Sequence, residues 1–101
     1  MVVRVFDDAG AEYLGYFATQ LSKEEKTVVL LVSKDDGQMV FAQHPSIGKD
    51  MNTLLKQVLE KTGGKGGGTR DFARGRLSDA AQAEKALSTA RDILQSQGLE
   101  V

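Results

Sequence analysis

Two apolar runs joined by an acidic turn are the clearest structural signal in this 101-residue chain. Residues 27–33 (Thr-Val-Val-Leu-Leu-Val-Ser) are apolar almost throughout, which is typical of a strand buried on both faces of a sheet. Residues 34–37 (Lys-Asp-Asp-Gly) end in a hairpin signal, and residues 38–44 predict the returning strand. A β-branched segment at residues 1–6 predicts a further strand, and its start without any lead-in is what we expect of a domain cut from a longer chain.

Three other segments repeat apolar residues at the spacing of an amphipathic helix. The first spans about residues 9–21, the second follows Asp50 and stops at Gly63 or Gly64, and the third ends at Gly98. Their predicted N-terminal caps are, in order, Asp7 or Asp8, Asp50, and Ser78 or Asp79. Their apolar faces are Tyr13, Leu14, Phe17, Ala18 and Leu21; Met51, Leu54, Leu55, Val58 and Leu59; and Ala83, Ala86, Leu87, Ala90, Ile93 and Leu94. We expect the aromatic side chains of the first helix in the core rather than under nucleobases.

The order of these elements predicts one small α/β domain over residues 1–101. The order is strand, helix, strand, strand, helix, glycine-rich loop, short strand (71–76) and helix. A strand-helix-strand unit favours parallel pairing, and the hairpin adds an antiparallel neighbour, so the predicted sheet is mixed. Because the strand at 27–33 is apolar throughout, we expect helices on both faces of that sheet.

The most unusual stretch is the predicted loop at 63–68, in which five of six residues are glycine. Each ordered glycine costs about 0.5–1 kcal/mol of extra backbone entropy relative to alanine. A helix stop and a turn need only one or two glycines, so the surplus indicates that a backbone or a ligand approaches closely. Bare N–H groups beside Lys65 and Arg70 suit an anion such as phosphate. The alternative is a flexible linker without a partner.

Charge supports the anion hypothesis only locally. The whole chain has a net charge of −1, but residues 61–76 contain five basic residues and one acidic residue, a net +4, so the remainder sums to −5. The chain has no cysteine, one histidine (His44), no apolar run of membrane-span length and no signal-peptide pattern. We therefore expect no catalytic residues, metal or cofactor in this chain, and a cytoplasmic location. His44 is expected to be solvated, and Asp35 and Asp36 to form the hairpin turn.

Known phosphate-binding motifs do not match the glycine run. A P-loop needs Gly-Lys followed by Ser or Thr, whereas Gly66 follows Lys65. The dinucleotide fingerprint needs a third glycine where Thr69 stands, and it follows a strand rather than a helix. Residues 63–66 match the four-residue backbone clamp of KH domains, but that match is short. The remaining description is a cationic, N–H-rich loop.

Residues 63–75 (Gly-Gly-Lys-Gly-Gly-Gly-Thr-Arg-Asp-Phe-Ala-Arg-Gly) resemble the signature of the DHH-associated domain, first subtype. This domain lies near the C-terminus of alanyl-tRNA synthetases and of long-form alanyl-tRNA editing proteins. The chain keeps the glycines, Asp71, Ala73 and Gly75, and the element order matches over nearly its whole length. It departs from the pattern at Arg70 (usually Pro), at Arg74 (usually Gln), and at Arg76 and Leu77 (usually Gly). Thr69 stands where the phosphoesterase branch has His, which favours the tRNA branch.

The resemblance implies an accessory domain that contacts tRNA, with the catalytic and zinc-binding residues of the parent enzyme in other domains. Its expected partners are tRNA and neighbouring domains of the parent chain. Two alternatives stay open, namely a protein docking module and a substrate-binding lobe of a DHH-type phosphoesterase. The predicted nucleic-acid-binding residues are Gly63, Gly64, Lys65, Gly66, Gly67, Gly68, Arg70, Arg74 and Arg76.

Overall fold

A single five-stranded mixed sheet organises the computed structural model, which describes residues 2–8 and 10–98 without the side chain of Ala11. The strands are β1 (Val2–Phe6), β2 (Val28–Ser33), β3 (Gln38–Gln43), β4 (Gly64–Gly68) and β5 (Phe72–Leu77). The helices are α1 (Ala11–Leu21), α2 (Met51–Thr62) and α3 (Ala83–Ser96), with short 3₁₀ turns at Pro45–Ile47 and Ala80–Gln82. Predicted positions Met1 and Ala9 lie outside the described residues.

The strand order is β1-β2-β3-β5-β4, with β1 and β2 parallel and the other pairs antiparallel. The predicted mixed sheet is therefore confirmed. All of β2 is buried, as its continuous apolar sequence predicts. Helix α1 packs on one face through a core that includes Leu14, Val29 and Leu31. Helices α2 and α3 pack on the other face around Phe41, Leu55 and Leu94, so the prediction of helices on both faces is confirmed.

Most of the predicted helix signals are correct, but the caps differ in detail. The Asp50 carboxylate accepts from the Thr53 backbone N–H at 3.1 Å and caps α2 as predicted. Asp79 caps the 3₁₀ turn before α3, accepting from the Ala81 N–H at 3.0 Å. The prediction that Asp7 or Asp8 caps α1 is wrong, because the N-cap is Gly10 and it makes no side-chain cap hydrogen bond.

Two further side chains differ from expectation. Tyr13 is 51% exposed, because it stands at the margin of the apolar stripe of α1 and packs against Phe6 and Phe17 at centroid distances of 5.7 and 5.9 Å. His44 is half-buried rather than simply solvated, since its Nδ1 accepts from the Ser46 N–H at 3.1 Å and closes the turn at Pro45–Ile47.

The prediction of a glycine loop at 63–68 is wrong, because residues 64–68 form β4 at the edge of the sheet. Strand pairing uses backbone N–H and C=O groups, so a strand does not require side chains when a partner holds its backbone. Here β5 pairs with β4 from Gly64↔Leu77 to Gly68↔Ala73. The low strand propensity of glycine is thus overridden by tertiary pairing. No helix in the described part of the chain is long and apolar enough to cross a membrane.

Candidate nucleic-acid interface

The hairpin of β4 and β5 places three of the predicted cations on one side of the sheet. Lys65 lies opposite Arg76, and Gly67 lies opposite Arg74. Residues directly opposite in an antiparallel pair project to the same face, and side chains alternate along a strand. Lys65, Arg74 and Arg76 therefore share a face, and all three are exposed. We call this surface the cationic face, defined by these three residues.

The cationic face is open because the helix on that side of the sheet covers other strands. Helix α1 packs on β2 and β3 and leaves Lys65 and Arg76 in solvent, while its Gly15 stands beside the guanidinium of the exposed Arg74. On the opposite face, Ala73 and Leu77 of β5 are buried against α2 and α3. The same hairpin is thus packed on one side and solvated on the other.

Each cation of this face has a different environment. The Arg76 Nε donates to the Asp36 carbonyl oxygen at 3.1 Å. The Arg74 guanidinium carbon lies 5.3 Å from the centroid of the Phe72 ring, a cation–π geometry. Lys65 makes no ion pair with any residue in 2–8 or 10–98.

A shallow depression of about 460 Å³ lies at the open end of the hairpin. It is lined by Lys65 and Arg76 together with Ser78 and the acidic turn residues Asp35 and Asp36. The two carboxylates lower the positive potential at this end of the face. Arg74 lies farther along the hairpin from this acidic turn than Arg76 does.

Arg70, the fourth predicted cation, is separated from the cationic face. It occupies the two-residue turn between Thr69 and Phe72, at the opposite end of the hairpin from Lys65. Its Nε lies 3.5 Å from the Asp71 carboxylate, and its side chain is 58% exposed. An exposed pair of this kind contributes little to stability. The structure therefore brings together three of the four predicted cations.

Steric contacts explain alternate glycines of β4. A Cβ on Gly66 would lie 2.6 Å from both the Arg74 carbonyl oxygen and the Gly75 Cα, and 2.9 Å from Leu55. A Cβ on Gly64 would collide with the Arg76 carbonyl oxygen, and one on Gly68 with that of Phe72. The close approach inferred from the sequence is thus made by the protein's own strand β5 and helix α2. Gly67 differs, since its nearest neighbour would be Asn52 Oδ1 at an ordinary 3.6 Å.

The hydrogen-bond register decides which glycine amides remain available. The Thr69 N–H donates to Phe72 O at 2.9 Å, and the Ser78 N–H donates to Gly63 O at 3.3 Å. Hydrogen-bonded and non-hydrogen-bonded pairs alternate along an antiparallel ladder, so Lys65 and Gly67 direct their N–H groups inward to β5. The backbone groups of the alternate residues point to the outer edge of the sheet, where β4 is the last strand: Gly64, Gly66 and Gly68.

A buried glutamine that the sequence analysis missed anchors the turn of the hairpin. Gln43 is 2% exposed, and its Nε2 donates to the Lys49 carbonyl oxygen at 2.6 Å and to Asp71 Oδ1 at 2.8 Å, with the Arg70 carbonyl oxygen 3.2 Å away. The Arg70 carbonyl accepts from the N–H of Met51, the first residue of α2, at 2.8 Å. Asp71 therefore has a structural contact within the fold. A polar residue ending an apolar strand was the only sequence signal for this role of Gln43.

Within residues 2–8 and 10–98, no group of three or more histidine or acidic side chains converges to hold a metal ion. A shifted pKa among the described residues lies away from the cationic face. The pKa of Lys34 is raised by its hydrogen bond to Glu84 and by the attraction of that carboxylate, 3.0 Å away. The chemistry that this arrangement offers is the binding of an anion by exposed cations.

Comparison with known proteins gives consistent relatives. The alanyl-tRNA editing protein AlaX-L of Pyrococcus horikoshii is 35% identical over 80 residues, which cover 79% of this chain and 19% of that protein. An alanine–tRNA ligase of Pyrococcus abyssi is 31% identical over 77 residues, covering 76% of this chain and 8% of the ligase. The chain thus spans less than a fifth of the length of these relatives.

Solved structures show the same fold at lower sequence identity. The C-Ala domain of Aquifex aeolicus alanyl-tRNA synthetase superposes with a TM-score of 0.80 at 22% identity, covering 92% of this chain and 88% of that domain. RecJ of Thermus thermophilus superposes with a TM-score of 0.75 at 16% identity, covering 94% of this chain and 14% of RecJ. The sequence model of the DHHA1 domain matches residues 1–96. The chain, with its glycine-rich edge strand and its mixed five-stranded sheet, therefore belongs to the DHHA1 domain family.

Proposed function

We propose that this chain is a tRNA-binding accessory domain of an alanyl-tRNA synthetase or an alanyl-tRNA editing protein. The observation that carries the proposal is the cationic face, in which Lys65, Arg74 and Arg76 are exposed together on a sheet surface that α1 leaves open. The relatives named for alanine–tRNA ligase and for alanyl-tRNA editing support tRNA as the nucleic acid. The domain contributes binding, and catalysis belongs to other domains of the parent enzyme.

Phosphate is the part of tRNA that suits this surface. Three exposed cations on one face neutralise phosphates without reading bases, so binding releases counterions and weakens with salt. Arg70 at the hairpin turn adds a fourth cation for a ligand that extends along the hairpin. With three to four phosphate contacts, the logarithm of affinity falls against the logarithm of salt concentration with a slope of about −2 to −4.

Lys65 and Arg76 are exposed, so each can be truncated at little cost in stability, apart from the one hydrogen bond from Arg76 Nε to the Asp36 carbonyl oxygen. We expect Lys65→Ala and Arg76→Ala each to weaken tRNA binding and to reduce the salt slope by about 1, because each removes one phosphate contact. Filter binding with tRNA at several salt concentrations measures both quantities. Lys85→Ala is the matched control, since Lys85 is an exposed lysine of α3 on the other side of the sheet. A flat salt response of the unaltered chain contradicts the proposal.

A protein docking module is the second candidate, and one observation favours it. At the outer edge of β4, the backbone groups of Gly64, Gly66 and Gly68 point away from β5, and an extended partner strand could add there. Strand addition depends on backbone rather than on charge, so Lys65→Ala would leave it nearly intact. If the domain is instead the substrate lobe of a phosphoesterase, short oligonucleotides bind as well as intact tRNA.

A further inference from the structure

Helix α1 contains a glycine that faces the end of an arginine side chain from β5. Gly15 lies in the middle of Ala11–Leu21 and is buried. A Cβ on Gly15 would collide with Arg74 Nη2 and lie 3.1 Å from Arg74 Cζ and 3.9 Å from Nε, with no other atom among its three nearest neighbours. Glycine is an unfavourable residue inside a helix, and here its missing Cβ makes room for a guanidinium.

The same guanidinium also contacts an aromatic ring. Its Cζ lies 5.3 Å from the Phe72 ring centroid, so Arg74 is held between the aromatic ring on β5 and the bare backbone of α1. Glu12 lies one turn before Gly15, yet no carboxylate of residues 2–8 or 10–98 comes within 4.0 Å of the Arg74 nitrogens. The side chain is therefore positioned by packing while its charge has no acidic partner in this part of the chain.

We propose that Gly15 is a positioning residue that seats Arg74 as a pre-organised phosphate ligand of the cationic face. This inference rests on the proposed RNA-binding function and deepens it. A long side chain loses rotamer freedom when it binds, and a side chain that is already seated loses less. The planar guanidinium also binds phosphate with two parallel hydrogen bonds, which a lysine ammonium cannot do. Arg74 is thus a directed ligand, whereas Lys65 supplies diffuse charge and Arg76 is held by its hydrogen bond to the Asp36 carbonyl oxygen.

Alanine at position 15 separates the positioning of Arg74 from the stability of the fold. The atom that it displaces is the far end of a flexible side chain, so the variant folds with Arg74 turned away, and the better helix former favours α1. We expect Gly15→Ala to weaken tRNA binding about two- to tenfold, the range for losing one pre-ordered side chain. Its thermal midpoint stays equal to that of the unaltered chain or rises.

The experiment measures tRNA affinity and thermal midpoint for Gly15→Ala, Arg74→Ala, Arg74→Lys and the double variant Gly15→Ala/Arg74→Ala. If Gly15 positions Arg74, the double variant binds tRNA no more weakly than Arg74→Ala, because Gly15 acts only through Arg74. Arg74→Lys, which leaves Gly15 untouched, is expected to bind nearly as weakly as Arg74→Ala. The matched control is Gly10→Ala, since a Cβ on Gly10 has no neighbour within 4 Å, and its affinity stays within about twofold.

A second measurement reports the position of the Arg74 side chain in the absence of RNA. The NMR signal of the Arg74 Nε–H group is shifted by the Phe72 ring in the unaltered chain and returns to the position of a solvated arginine in Gly15→Ala. The inference is overturned if either Gly15→Ala or Arg74→Lys binds tRNA as tightly as the unaltered chain. The positioning of Arg74 by Gly15 then has no role in binding, while the RNA-binding function stands. If the unaltered chain binds no tRNA, the proposed function itself fails and the ligand role of Arg74 fails with it.

Discussion

The two faces of the β4–β5 hairpin differ in what determines their residues. On the face towards α2, Gly66 has no space for even one methyl group, and Ala73 and Leu77 are buried. On the cationic face, Lys65, Arg74 and Arg76 are exposed, and Lys65 makes no ion pair within residues 2–8 and 10–98. Gly64, Gly66 and Gly68 are therefore explained by packing, whereas Lys65 needs a reason outside the fold. The charged residues, rather than the glycines, are therefore the candidates for function.

The largest effect is expected where packing dictates glycine. Gly66→Ala places a Cβ 2.6 Å from two backbone atoms of β5, which cannot move without disrupting the sheet. We expect a loss of about 3 kcal/mol in the free energy of unfolding, as for other overpacked sites. Chemical denaturation measures it. Gly67→Ala is the matched control and is expected to be nearly neutral, and equal stabilities of the two variants would remove the steric explanation for glycine in β4.

A somewhat smaller loss of stability is expected at Gln43, which anchors the turn of the β4–β5 hairpin. Gln43→Leu removes the buried amide that donates to the Lys49 carbonyl oxygen and to Asp71 Oδ1 and that accepts from the Lys49 N–H. We expect a loss of about 2 kcal/mol, the range for unsatisfied buried groups. Gln38→Leu, at the other end of β3, is the control, because only its backbone N–H takes part in a side-chain hydrogen bond within the described residues. Similar denaturation midpoints for the two variants would show that the Gln43 network is not an anchor.

The cationic face is expected to respond in binding and not in stability. Lys65→Glu places a carboxylate beside the expected phosphate, so tRNA affinity falls by more than roughly tenfold through like-charge repulsion. Unfolding free energy changes by less than about 0.5 kcal/mol, because the side chain is exposed. Fluorescence anisotropy and denaturation on the same sample separate the two effects. Lys85→Glu, the same change on α3, leaves the affinity almost unaltered, and an equal loss there would indicate unspecific electrostatics.

The smallest effect on stability is expected at Lys34 and Glu84, an ion pair away from the β4–β5 hairpin. The hydrogen bond and attraction of Glu84 raise the pKa of Lys34, so the pair stabilises the fold below the ordinary pKa of lysine. That contribution is lost as the pH rises through the raised pKa. Glu84→Gln therefore differs slightly from the unaltered chain in thermal midpoint at neutral pH, and the difference closes in strongly alkaline buffer. A difference that persists there, or that is insensitive to salt, contradicts this assignment.

Much of the fold was predictable because its signals are local. The apolar run at Val28–Ser33, the Asp-Gly hairpin and the three amphipathic stripes each specify an element without reference to the rest of the chain. The main failure, at the glycines, depended on a neighbour distant in sequence. Residues 64–68 form a strand because β5 pairs with them.

The sequence by itself determined the element order, the burial of β2, the concentration of cations around the glycines and the family signature. Only the tertiary structure decided that three cations share an open face, that Arg70 stands apart, and that Gly15 makes room for Arg74. The physical reason is that charge and periodicity are properties of neighbouring residues along the chain. The face on which a strand presents its side chains, and the space beside a glycine, depend on register and on packing between segments far apart in sequence.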